Sequence, residues 1–578
     1  MQRRILILLA ALLFGCTAAA QPVDTARFAF PVLRVAGLYS ANFGEIRPGH
    51  FHAGIDIKTD GVEGKALVAV ADGYISRVVV TPYGYGRALY VTLNDGSTAV
   101  YGHLLRFSDA IDSCVQADRY RRSANNVDLY FPADRFPVRK GELIGYSGDS
   151  GSSMGPHLHF ELREAGTERR LNTVRNGLFR PKDTQPPLIL RLHYLQVDTV
   201  QGVCVCSKPV SVGVAREAGG NYRLMRRDPL PAGRKGYFVI ETSDRRNDVG
   251  NTFGIWRLSG SVDHEPFFEY RMDGFRYDQS RCSDAVSWYA QKLRSRNEVI
   301  RMARLTGAPA EFYPLLREQG LVRTEPGQRR SVQIEVEDDC GNISTLAFEI
   351  SGTAEEFRAE ADSTALVLYP DHSNPVALGT LLSARIPAGA LYEACYCRPE
   401  MRPQPASADP GVVVLSPAVK ILDTDIPLQK EATVTIRTEV PRALQIPASL
   451  ASYNPATGRL SYIGGTSTEN AVTARTRTTG WIVAVADTLR PAIRPQFAPE
   501  ADLSRTETLR FVVSDNFSGV ASCSLRIDGR WVPCDRLPMR GLVFHRFDWP
   551  AERRMHRARF TATDAAGNTA VWEGSFYR

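Results

Sequence analysis

Between residues 52 and 161 the chain carries three short pieces that read as parts of one site: His52-Ala-Gly-Ile-Asp56, Tyr101-Gly-His103-Leu104 and Gly155-Pro-His157-Leu-His159-Phe-Glu161. Five of the ten histidines fall between residues 50 and 159. Histidine and aspartate are sound zinc ligands. Their spacing limits how the chain can run. In a regular strand His52 and Asp56 would lie ~13 Å apart, too far to share one ion. The chain must therefore bend between them. Gly54 permits a bend, and Pro48, Gly49 and Gly54 argue against a helix. His157 and His159 are two apart in a predicted strand, so they point to one face. Parallel side chains there stand ~6–7 Å apart. One of the two binds a metal, and the other reaches the water or substrate beside it.

Counted this way, His52, Asp56 and one of His157 and His159 give three protein ligands. A fourth position stays open, as in catalytic zinc sites. No H-E-x-x-H helix supplies a glutamate base. His103 and the remaining member of the pair are left for proton transfer and oxyanion stabilisation. The rival reading is a set of unrelated structural histidines. His50 is a candidate to line the same groove. Glu161 shares a face with His159 and is either an acceptor for its second ring nitrogen or a structural residue. His193, His264, His372, His545 and His556 have no partner pattern and read as surface or packing residues.

Pro and Gly punctuate short runs of branched residues almost everywhere, so the fold class is mainly β. Leu67 to Ala71, Tyr74 to Val80, Ala88 to Leu93, Ser97 to Tyr101, Leu143 to Tyr146 and His157 to Leu162 read as strands. Asn94-Asp95-Gly96 is a hairpin turn. The stretch from Arg106 to Val138 is polar and without clear periodicity, and reads as an insertion over one rim. With 578 residues, several domains are required. We expect an antiparallel β domain at 28–182, an immunoglobulin-like β module at 183–352, a β module of uncertain type at 353–486 and a second immunoglobulin-like module at 487–578. An internal repeat supports the two similar modules. Asp183-Thr-Gln-Pro-Pro187-Leu-Ile189 echoes Asp487-Thr-Leu-Arg-Pro491-Ala-Ile493. Phe238 to Asp244 echoes Phe511 to Asp515. Asp338-Asp-Cys-Gly341-Asn342 echoes Asp564-Ala-Ala-Gly567-Asn568. The first module also carries a helical-looking segment at Ala285 to Arg304.

Residues 1–20 read as a signal peptide: Arg3 and Arg4, an apolar run from Ile5 to Phe14, then Ala18-Ala19-Ala20 before the cut. Leu13-Phe14-Gly15-Cys16 offers a competing lipobox, in which Cys16 is acylated. Export to the periplasm or cell envelope follows, with a membrane attachment only if Cys16 is lipidated. The cysteines, ten in all and nine if Cys16 leaves with the signal, are then in a compartment that permits disulfides. Cys523 and Cys534 are candidates to pair. Cys204 with Cys206 and Cys395 with Cys397 read as disulfide partners or buried thiols. The net charge of +7 is mild, with no basic run, and nucleic acid is not indicated.

The ordered set H-x-x-x-D, Y-x-H-L and G-x-x-x-G-P-H-L-H-F-E resembles the lysostaphin/LytM-type zinc endopeptidases over roughly residues 45 to 165. The resemblance implies a compact antiparallel β domain of the duplicated hybrid motif type. It implies one zinc ion per chain held by His52, Asp56 and His159, with His103 and His157 catalytic. It also implies a substrate class, the peptide cross-links of bacterial peptidoglycan. Two other functions are kept beside this one. The first is a non-catalytic peptidoglycan-binding activator of other wall hydrolases, and the second is a zinc peptidase acting on proteins. The tail is expected to position the enzyme on the wall, dock another envelope protein or cover the groove. Deleting 183–578 is expected to leave the metal site intact.

Overall fold

The computed structural model describes residues 28–441 and 447–578. The expected export signal and Cys16 lie outside the described residues. Strands dominate the regular structure of the described residues, with few helices, most of them short. No described helix is long and apolar enough to cross a membrane.

One antiparallel sheet organises the N-terminal domain. Its strands run in the order Tyr39–Ala41, Ile55–Lys58, His157–Arg163, Thr98–Gly102, Arg87–Leu93, Gly73–Val80 and Val127–Tyr130. The Asn94-Asp95-Gly96 turn joins Arg87–Leu93 to Thr98–Gly102 as a hairpin, with Thr92 opposite Thr98. Ile55, Ile57, Leu89, Val91, Leu158 and Phe160 are buried in one core. A small second sheet of Ala66–Val68, Leu143–Ser147 and Leu104–Phe107 closes the domain.

Two expectations about local structure are corrected. The stretch from Arg106 to Val138 is not irregular. It contains a helix, Asp109–Arg122, and a strand, Val127–Tyr130, paired with Gly73–Val80. The helix buries Ile111, Val115, Asp118 and Arg119. That is helical spacing, but half of the buried face is charged, so apolar periodicity does not reveal it. The segment from Ala285 to Arg304 is not one helix either. It holds two four-residue helices, Ser283–Val286 and Tyr289–Lys292. The strand Glu298–Arg301 then joins the edge of Lys235–Ser243.

The following segment forms a large sheet around Leu188–Val200, Lys235–Ser243, Arg329–Glu337 and Ile343–Gly352. Its core does not stop at residue 183. Phe43, Ile46 and Phe51 pack with Phe275, Met272 and Phe312. The strand Gly274–Phe275 also pairs with Arg170–Leu171 at the edge of the N-terminal sheet. Residues 374–487 form a five-stranded and a six-stranded sheet. The last segment has two four-stranded sheets with a common core, in which Phe511 stacks on Phe560 at 4.4 Å. All nine described cysteines are free thiols, so the expected pairing of Cys523 with Cys534 is not present.

Candidate metal centre

The register of three strands assembles the site. His157–Arg163 lies between Ile55–Lys58 and Thr98–Gly102, and puts His159 opposite both Asp56 and Gly102. His103 directly follows Gly102. His52 comes from the segment between the short strand His50–Phe51 and Ile55–Lys58. The chain bends here, as the spacing required. Gly54 serves a different purpose from the one expected: its φ is not positive, but a β-carbon would collide with the carbonyl of Phe160. Only glycine lets the bend lie flat against the central strand.

Three atoms converge. His52 Nε2 is 3.0 Å from Asp56 Oδ1 and 3.1 Å from His159 Nδ1. His159 Nδ1 is 2.9 Å from the same Oδ1. All three residues are buried. The second nitrogen of each ring is already committed. His52 Nδ1 donates to the backbone carbonyl of Asn42 at 2.7 Å. His159 Nε2 lies 3.0 Å from Glu161 Oε1. These partners set the tautomers and turn a lone pair of each ring toward Asp56. Two lone pairs and a carboxylate oxygen facing one another in a buried space need a positive charge between them. Donors around one zinc lie about 3.3–3.6 Å apart, so this triangle needs only slight opening. The residues fit the ion that the motifs imply.

Electrostatics point the same way. Burial pushes His159 down, but Asp56 and Glu161 outweigh it and raise its pKa to about 9. Without a metal, His159 itself carries the positive charge. Burial is the main cause that lowers His52 to about 4, against the pull of Asp56. Asp56 is held well below the usual carboxylate range: burial opposes this, and His52, His157 and His159 prevail.

The other two histidines flank the triangle. His157 Nε2 is 3.6 Å from Asp56 Oδ1, and its Nδ1 contacts the carbonyl of Gly155 at 2.8 Å. The His103 ring lies 4.8 Å from that of His157, between centroids. His103 Nδ1 donates to the carbonyl of Ser150 at 2.8 Å. Its backbone is left-handed, with φ +64°, a conformation that costs energy in a residue with a β-carbon. Burial and the neighbouring imidazoles lower its pKa to about 3. His103 is therefore neutral near pH 7, with Nε2 available as a proton acceptor.

A groove of about 1140 Å³ opens over these residues, and His50, Lys58, Arg170 and Tyr277 line it. His50 is thus a wall residue. Sequence reasoning missed Asn42, Arg47, Tyr85 and Ser150. Arg47 Nη2 is 3.2 Å from Asp56 Oδ2. Tyr85 donates to Glu161 Oε1. Glu161 is fully buried and also receives Arg163 Nε at 2.8 Å. No local pattern marks these partners; only the fold brings them in.

A family model described as a Zu5-like domain matches residues 368–486. Three curated relatives are similar to part of the chain. The DD-carboxypeptidase/endopeptidase Mpg of Neisseria meningitidis is 33% identical over 134 residues, 23% of this chain and 24% of its own length. An uncharacterized metalloprotease of Haemophilus influenzae is 34% identical over 125 residues, 21% of this chain and 20% of its own. The glycyl-glycine endopeptidase ALE-1 of Staphylococcus capitis is 32% identical over 114 residues, 20% and 25% respectively. The chain thus spans about a quarter or less of the length of the relatives it matches. In its three ordered motifs and in these relatives, the N-terminal part of the chain is similar to the lysostaphin/LytM-type peptidases.

Proposed function

We propose that the chain is a zinc-dependent endopeptidase that hydrolyses peptide cross-links of bacterial peptidoglycan in the cell envelope. The observation that carries this reading is the convergence of His52 Nε2, Asp56 Oδ1 and His159 Nδ1 within 3.1 Å of one another. These three residues would hold the ion. Zinc, when bound, supplies Lewis acidity toward a peptide carbonyl and acidifies a water.

The remaining steps fall to the chain's own groups. His103 is neutral and presents Nε2 beside His157, so it can accept a proton from the attacking water. A protonated imidazole in this pair becomes a donor for negative charge developing on the carbonyl oxygen, and then returns the proton to the leaving amine. Ser150 and Gly155 fix the two rings through backbone carbonyls, so neither ring must reorient during the reaction. His52, Asp56, His103 and His159 are themselves buried on the floor of the groove, which strengthens the interactions among them.

The test is a muropeptide profile. Purified chain loaded with zinc is incubated with intact peptidoglycan, beside His159→Ala and His103→Ala variants. Cross-linked dimers should fall and monomers rise with the unaltered protein alone. Adherence to the wall with no release by any of the three proteins would instead favour the binding-activator function.

A further inference from the structure

The internal repeat of the sequence recurs as a cluster in space. Asp183, Asp244 and Asp338 each offer a carboxylate oxygen, and these atoms lie within 4.8 Å of one another. Asp183 sits in the connection leaving the N-terminal domain, five residues before the strand Leu188–Val200. Asp244 directly follows Lys235–Ser243, and Asp338 opens the turn between Arg329–Glu337 and Ile343–Gly352.

The cluster contains far more negative charge than its surroundings satisfy. Asp338 is well supplied: its Oδ1 accepts from the amides of Cys340 and Asn342 at 2.8 and 2.9 Å, and its Oδ2 from Asn342 Nδ2 at 2.7 Å. Asp183 Oδ1 accepts from Gln185 N at 3.1 Å, while its buried Oδ2 has no partner. Asp244 is the telling residue. It is 0% exposed, and neither of its carboxylate oxygens meets a hydrogen-bond donor. Its backbone is pinned to Phe253 by a pair of hydrogen bonds, which fixes the base of the side chain at the buried cluster. The nearest guanidinium, Arg246, pairs with Asp339 at 2.5 Å. Burial, and then the charge of Asp338, push the Asp244 pKa well upward. An unpaired buried carboxylate is among the most costly groups a protein can hold.

We propose that Asp183, Asp244 and Asp338 form a calcium site. The donors are carboxylate oxygens, with no histidine among them, which selects a hard cation over zinc. Calcium takes six to eight oxygens in irregular arrangements, whereas magnesium demands a near-ideal octahedron and keeps its waters. The site's position gives it a role. Asp183 belongs to the incoming connection, while Asp244 and Asp338 belong to the module it enters. Arg180, on the same connection, donates to the carbonyl of Cys340 inside the Asp338 turn. A cation here ties the connection to the module and stiffens the joint behind the peptidase domain.

Asp487, Asp515 and Asp564 repeat the arrangement at the entry to the last module. Asp564 accepts from the Asn568 amide at 2.8 Å and from Asn568 Nδ2 at 2.9 Å, as Asp338 does from Asn342. There Asp487 accepts from the Leu489 and Ser518 amides and Asp515 from the Phe517 and Gly519 amides, so no carboxylate is left wholly without a partner as Asp244 is, and the first triad is the site assigned.

The experiment compares the full chain with its Asp244→Asn variant at fixed zinc. Both are dialysed against calcium over about 0.1–1 mM, the range of extracellular calcium modules. Bound calcium is measured by elemental mass spectrometry and the melting midpoint by calorimetry. The variant should bind one calcium fewer, and calcium should raise its midpoint less. In calcium-free buffer the variant should melt no lower than the unaltered chain, because a repelling charge has gone. Equal calcium in both proteins would overturn the site. So would a large loss of stability of Asp244→Asn without calcium, since the carboxylate would then have a structural role of its own.

Discussion

The backbone carbonyl of Asn42 accepts the Nδ1–H of His52 at 2.7 Å. The same Asn42 is gripped from the other side. Its side-chain amide donates to the carbonyl of Gly254 at 2.8 Å and accepts from the Gly254 amide at 2.9 Å. A residue of the following module thus holds the residue that orients a candidate metal ligand. Glu298 adds to this grip, accepting from Ile46 N and Ile255 N at 2.9 Å each.

This relationship reverses the expectation for a truncated N-terminal domain. Deleting 183–578 would expose Phe43, Ile46 and Phe51, each worth about 1.5–3 kcal/mol of burial, and would free the segment carrying His52. Residues 28–182 alone should therefore bind zinc weakly or not fold. In the full chain, Asn42→Ala should lower zinc affinity and stability by about 1–3 kcal/mol, the cost of unpaired buried groups. A chelator competition and a denaturant titration check both. Full zinc affinity in the isolated segment would show that the following module is dispensable.

The candidate ligands were legible because they lie in short local motifs whose chemistry needs no fold. The choice between His157 and His159 rested on resemblance, and the register of His159 opposite Asp56 supplies its physical basis. What supports the site was hidden. Asn42 and Gly254 are 212 positions apart, and nothing in either neighbourhood announces the other. The helix Asp109–Arg122 escaped for a different reason. Its inward face carries Asp118 and Arg119, so a search for apolar spacing meets charges where it expects leucines.

Glu161 should prove necessary for the affinity of the site. Burial opposes its charge, but Arg163, His159 and Arg170 outweigh that and hold the carboxyl well below its usual range. Glu161→Gln keeps the shape and removes the charge. His159 then keeps only a neutral, weaker acceptor in place of a charged one, and zinc affinity should fall about 10–100-fold. Arg163 loses its main buried counter-charge, and breaking such a pair costs about 3–5 kcal/mol. Competition with a chromophoric chelator reads the first effect and thermal unfolding the second. A variant with native zinc affinity would show that the His159–Glu161 hydrogen bond does not tune the site.

His103→Ala should separate chemistry from metal binding. The ring packs edge-on to His159 at 5.9 Å between centroids, and its Nδ1 donates to the carbonyl of Ser150 rather than to the triangle. Zinc content should stay at the unaltered level while turnover drops about 10²–10⁴-fold, the usual worth of a positioned acid–base group. The two readouts are elemental analysis and release of muropeptide monomers. Loss of zinc along with activity would make His103 part of the metal site instead.

The last module reaches back to the N-terminal domain through Asp535, which pairs with Arg87 and Arg119, and through Arg540, which pairs with Asp149. Asp535 Oδ2 is 2.5 Å from Arg87 Nη2, and its Oδ1 is 3.1 Å from Arg119 Nη2. Asn125 adds two hydrogen bonds, to the carbonyl of Cys523 at 2.9 Å and from the amide of Cys534 at 2.7 Å. This contact lies behind the candidate site, because the Arg87 amide donates to Ser150 Oγ at 2.9 Å and the Ser150 carbonyl holds His103. Burial raises the Asp535 pKa, but Arg119 and Arg87 outweigh it and lower it from 3.8 to about 2. A depressed carboxyl stabilises the docked state fully above its unfolded value. That contribution, about 2 kcal/mol, is lost as pH falls from near 4 through about 2. The module should therefore stay docked at neutral pH and swing out in acid, increasing the radius of gyration measured by small-angle scattering. Asp535→Asn should expand the chain already at neutral pH, since Arg87 and Arg119 would then be buried without their counter-charge, and should lower turnover while leaving zinc content unchanged. Identical scattering from the variant and the unaltered chain would mean that the Asn125 hydrogen bonds, the Arg540–Asp149 pair, the Arg119–Cys534 hydrogen bond and apolar packing suffice to hold the module in place.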